Sequence, residues 1–106
     1  MANNYKNAKV SLTSADTTAV LTTSAGSTNV IKSILVAEYS GNADTIDLTI
    51  VAGSDTFNLF KVKAVGANTT VELLTQPLVL QDSEILKATA ATANRLHLVV
   101  SYLEIS

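Results

Sequence analysis

The sequence predicts an all-β chain: an antiparallel β-sandwich, jelly-roll-like, of about eight short strands. Three observations carry this. Thr (14), Val (11), Ile (6), Tyr (3) and Phe (2) make up about a third of the 106 residues, and β-branched and aromatic side chains suit a pleated, half-buried surface better than a helix. Polar and glycine-containing clusters recur at short intervals and leave runs of four to about ten residues between them, the spacing of a sandwich or barrel. Nothing reads as a long amphipathic helix, and helix formers other than Leu and Ala are few: 4 Glu, 6 Lys, 1 Arg, 2 Gln and 1 Met.

Along the chain, residues 5–13 form the first strand, with Ala8, Val10 and Leu12 alternating with polar neighbours. Ser14-Ala15-Asp16 turns it, and residues 17–23 give a short strand around Val20 and Leu21. After the loop at 24–28, the strand at 29–39 has Val30, Ile34 and Val36 on one face and Ile31, Leu35 and Tyr39 on the other. Apolar residues on both faces indicate a strand covered on both sides. Ser40-Gly41-Asn42-Ala43 is a hairpin-type turn, because Gly and Asn tolerate positive φ.

In residues 44–51, Ile46, Leu48 and Ile50 point inward. Residues 56–65 break phase: Phe57 and Leu59 share one face, Phe60 and Val62 the other, and a β-bulge near Leu59 would turn both pairs inward. Residues 69–74 contribute Val71 and Leu73. Pro77 cannot donate to a ladder, so Leu78-Val79-Leu80 starts a strand or lies at an edge. Residues 85–90 follow. In the last strand, 95–105, Leu96, Leu98, Val100 and Tyr102 share one face, and Val99, Leu103 and Ile105 the other.

This length allows one core. We read residues 1–7 as a flexible polar N-terminal arm, which either reaches a neighbouring subunit or frays, and residues 8–106 as a single β-sandwich domain. Hydrophobic residues at 47% exclude disorder. A net charge of −2, with 7 Lys+Arg scattered along the chain, excludes an electrostatic nucleic-acid binder. No apolar run is long enough for a membrane helix, and the opening Met-Ala-Asn-Asn-Tyr-Lys lacks the core of an export signal. Charged residues are only 15%, against about 25% in typical domains. Either neighbours cover part of the surface, or Thr, Ser and Asn supply the solubility.

Little here points to chemistry. With no cysteine there is no disulfide, zinc knuckle or thiol nucleophile. His97 is the single histidine and has no serine elbow to work with, so it reads as a strand histidine at a sheet face or interface. Asp44, Asp47 and Asp55 lack a calcium-loop pattern and read as solvated turn acids. The four glycines are isolated and cradle no phosphate. The chain is expected not to be an enzyme and to need no cofactor or metal. Tyr5, Tyr39 and Tyr102 offer the amphipathic area that interfaces favour, though core tyrosines are as common. With His97 and Leu103 they form the candidate interface set.

Residues 29–50 (NVIKSILVAEYSGNADTIDLTI), 78–90 (LVLQDSEILKATA) and 94–105 (NRLHLVVSYLEI) resemble small virion structural proteins of tailed bacteriophages. The resemblance spans about residues 20–106 and departs at Gln81-Asp82-Ser83, where a glycine is expected beside the aspartate. It implies a virion location, with assembly in the host cytoplasm. Of the roles it implies, we favour a capsid decoration (cement) protein that binds the major capsid protein and stabilises the head shell, as a homo-oligomer with a trimer favoured. The alternatives are a tail, neck, baseplate or fibre component bound to another virion protein and, in a different class, a module that binds host-surface glycans.

Overall fold

The computed structural model describes residues 3–106, in which the period-two alternation of the sequence becomes nine strands. They are β1 (Asn3–Ser11), β2 (Thr18–Thr22), β3 (Thr28–Glu38), β4 (Asp44–Ala52), β5 (Asp55–Val65), β6 (Thr70–Glu72), β7 (Leu78–Leu80), β8 (Ile85–Ala90) and β9 (Leu96–Ile105). One sheet runs β1-β9-β3-β6, with β7 also paired to β3, and the other runs β2-β8-β4-β5.

The pairs β1-β9, β2-β8, β3 with β6 and β7, and β4-β5 are those of one long antiparallel ribbon. The added pairs β9-β3 and β8-β4 roll that ribbon into two layers. This is jelly-roll topology. β6 and β7 both pair with β3 and share one place in the sheet, so the nine strands fill eight positions.

The core lies between the layers. Leu12, Ile31, Ile34, Val36, Leu98 and Val100 meet Ile46, Leu48 and Leu86 there, with no exposed surface on any of them. Each such side chain contributes roughly 1.5–3 kcal/mol by burial. Alternation therefore assigned the inner face of β4 and β9 correctly, with Ile50 half-buried against the core.

Three local departures have physical causes. In β3 the register shifts between Ile31 and Ser33, so Lys32 is an extra residue that reverses the phase. Ile31 joins Ile34 and Val36 in the core, while Val30 turns outward with Leu35 and Tyr39. In β5 the register shifts twice, once at the expected place beside Leu59 and once at Lys61–Val62. Leu59 and Phe60 pack on the core, but Phe57 and Val62 are exposed.

The third departure concerns the N-terminal segment. Asn3–Asn7 do not form a free arm: they belong to β1 and pair with Ile105 through Ser101 of β9. The remainder of the expected arm, Met1 and Ala2, lies outside the described residues.

Carboxylates close the gaps that these irregularities leave. Between β6 and β7 the Glu72 carboxylate accepts the N–H of Ile34 at 2.8 Å and of Leu74 at 3.2 Å, together with the Ser33 hydroxyl. Partial burial would raise its pKa, but these bonds outweigh that and hold it below the ordinary value. Asp44, read from sequence as a solvated turn acid, is buried and accepts the Thr92 N–H at 3.1 Å. Asp82 accepts the Gly26 N–H at 2.8 Å, which ties two loops together. Beside it Ser83, in the stretch where the resemblance implied a glycine, holds φ at 66°, a conformation that glycine adopts more readily.

Candidate functional site

Antiparallel partners directly opposite one another point to the same face, so the registers map the outer face of the five-stranded sheet row by row. The first row is Tyr5, Leu103, Val30 and Val79, one residue from each of β1, β9, β3 and β7. It is apolar from edge to edge. Asn7, Ser101 and Ser33 form a polar second row, and the third is Lys9, Val99, Leu35 and Glu72. Ser11, His97, Ala37 and Thr70 complete the face. Tyr39, just beyond β3, stacks on the His97 ring with centroids 4.0 Å apart and planes 20° apart.

Four of the five candidate interface residues therefore share one face: Tyr5, Tyr39, His97 and Leu103. Tyr5 is 80% exposed and Tyr39 44%. Tyr102 is the exception. It is the partner of Ile31, on the inner side of β9, and only 9% exposed. In a strand, residues 102 and 103 must point to opposite faces, so Tyr102 is a core residue and not part of this surface.

Sequence reasoning missed Val30 and Val79 as surface residues. Val30 was assigned to the wrong face because the extra residue at Lys32 was not visible in the alternation. Val79 did carry a signal: as the middle residue of a three-residue strand flanked by two inward leucines, it has to face out.

No known protein family, curated protein or solved structure matches this chain.

The rest of the described surface offers little chemistry. Among the described residues, no three His, Asp or Glu side chains gather where they would hold a metal ion. Across the outer face of the four-stranded sheet, Thr17 and Thr89 share a hydrogen bond at 2.8 Å, and Lys61 pairs with Asp47 at 3.4 Å. These are solvated polar contacts.

One buried carboxylate braces the end of the sandwich nearest the Tyr39–His97 stack. Glu38 accepts the N–H of Ser40 (2.8 Å), Gly41 (3.0 Å) and Asn68 (2.9 Å), plus the Ser40 hydroxyl. Desolvation opposes its charge, but these donors prevail and bring its pKa down to about 2. The turn after β3 is thereby locked to the loop after β5, and Tyr39 is held where its ring meets His97.

Proposed function

We propose that this protein is a phage virion structural protein that acts by assembly, namely a capsid decoration protein whose five-stranded sheet seats its outer face on the head shell. The observation that supports this most is the apolar row Tyr5–Leu103–Val30–Val79, which crosses four strands, with Tyr5 and Val79 exposed and Leu103 and Val30 half-buried among the described residues. The resemblance of residues 20–106 to virion proteins of tailed phages points to the same kind of partner.

Magnitudes favour a repeating partner. Four strands about 4.8 Å apart and six residues of rise give a face on the order of 300 Å². A stable one-to-one interface needs roughly 800 Å² per partner. A face this small holds best when many copies engage a lattice together, because linked contacts raise the effective affinity. A capsid shell is such a lattice.

The test is to mix purified protein with emptied, decoration-stripped heads and to sediment them, and separately to locate the protein on virions by immunogold labelling. Co-sedimentation and label on the head support the reading. Label on the tail, neck or fibres replaces it with the corresponding component. Failure to bind any virion part, with reproducible hits on a glycan array, replaces it with a glycan-binding module.

A further inference from the structure

The two sheets end in four edges, and three of them are blunted. The β2 edge is five residues long with a register shift between Ala19 and Leu21. The β5 edge carries two register shifts and a valine, Val62, at φ 54°. The β6/β7 edge consists of two three-residue strands on either side of Pro77. Short, bulged or proline-bearing edges are the devices that stop one sheet from pairing with another.

The β1 edge is neither short, bulged nor proline-bearing, and of its two lysines, Lys6 and Lys9, the first is neutralised by Glu104 of its own chain. Its nine residues pair with β9 in one unbroken register, with no proline, glycine or bulge. Leu12, the next residue, donates its N–H to Leu96 O at 3.0 Å. Antiparallel alternation carried back from there directs the N–H and C=O of Asn3, Tyr5, Asn7, Lys9 and Ser11 away from β9. They form an open ladder.

We propose that β1 is a self-association edge, which pairs antiparallel with β1 of a second copy about a two-fold axis at Asn7. Only residues with outward main-chain groups can face each other, and the register centred on Asn7 uses all of them. Asn3 then meets Ser11 of the other copy, Tyr5 meets Lys9, and Asn7 meets Asn7, with about ten main-chain hydrogen bonds between the strands.

The side chains fit this register. The lysine stem and ammonium of one copy lie against the exposed Tyr5 ring of the other, twice over, and the two Asn7 amides meet on the axis. Lys6, which pairs with Glu104 at 2.9 Å in its own chain, faces Ala8 of the other copy, so no like charges oppose one another. The pairing uses up the only unblunted edge among the described residues, so assembly stops at a dimer and does not continue as a fibre. The dimer replaces the trimer favoured from sequence. It also sets both outer faces side by side on one continuous sheet; the doubled docking face rests on the reading proposed above, whereas the pairing does not.

The experiment is light scattering over a concentration series, with Asn7→Lys and Asn7→Cys. Wild type is expected at twice the 11.1 kDa chain mass. Asn7→Lys puts two ammonium groups face to face and is expected to be monomeric, with unchanged circular dichroism and melting. Directly paired residues sit about 5.5 Å apart at Cα, within disulfide reach. Since the chain has no cysteine of its own, Asn7→Cys is expected to oxidise to a covalent dimer far faster than Ala19→Cys on the β2 edge.

A monomeric wild type, an oligomer that survives Asn7→Lys, or equal cross-linking of the two cysteine variants overturns the proposal. A dimer that ignores phage heads overturns only the capsid reading, and a monomer that binds them overturns only the pairing.

Discussion

The Asp47 carboxylate accepts the N–H of Val62 at 2.7 Å, across a bulge where Val62 holds φ at 54°. A β-branched residue seldom adopts this left-handed conformation, which costs an L-residue roughly 1–2 kcal/mol. Val62 is 61% exposed and gains little burial in exchange. Val62→Gly is therefore expected to raise stability by about 0.5–1 kcal/mol, the relief of strain less the greater freedom of glycine in the unfolded chain. Asp47→Ala is expected to lower it by about 1 kcal/mol or more, as a hydrogen bond to a charged group is lost. Urea midpoints measure both, and a destabilised Val62→Gly sinks the account of strain.

Glu38 makes acid stability testable. Its pKa is about 2 in the folded chain against an ordinary 4.5, so folding favours its carboxylate. The stabilisation is complete above pH 4.5 and is lost as pH falls from 4.5 toward 2. Glu38→Gln is expected to reduce the denaturation midpoint at neutral pH and to flatten the loss of stability across that window. An unchanged acid profile in Glu38→Gln would assign the acid sensitivity to other carboxylates.

Leu98 has no exposed surface and sits in β9, one of the two interior strands of the larger sheet. Leu98→Ala is expected to cost about 2–5 kcal/mol as a core truncation. A loss below about 1 kcal/mol in a denaturant titration would mean that the core relaxes around the site.

The outer face is expected to respond in the opposite way. Leu35 and Val79 are exposed there, so Leu35→Lys and Val79→Lys are expected to change stability by no more than about 0.5 kcal/mol. Both are expected to weaken co-sedimentation with stripped heads, Leu35→Lys by inserting a charge between Val99 and Glu72. Undiminished binding by the double variant would remove this face from the interaction.

The fold class and most of the core were legible in the sequence because strand alternation is a local property. The inward sets on β4 and β9 follow from every second residue being apolar, and the chain needs no other information to express that. Where one residue is inserted, the same rule fails from that point onward. Lys32 sends Ile31 and Val30 to faces opposite to those that the pattern of Ile34 and Val36 implied. The bulge at Leu59 was legible because two aromatic–aliphatic pairs fell visibly out of phase, whereas the one at Val62 left no such mark.

The sequence by itself determined that this chain is all-β, built of short strands on a small apolar core, with Pro77 confined to a strand start or an edge and His97 to a sheet face or interface. Tertiary structure alone decided which strands became neighbours, and therefore that Tyr5, Leu103, Val30 and Val79 form one row and that Tyr39 rests on His97. The physical reason is the order of pairing. A rolled ribbon sets β1 beside β9 and β9 beside β3, segments far apart in the chain, and main-chain hydrogen bonds join them in the register that buries their inward sets, which meet only once the chain has folded. A row of surface side chains assembled from four distant strands exists only once those bonds are made.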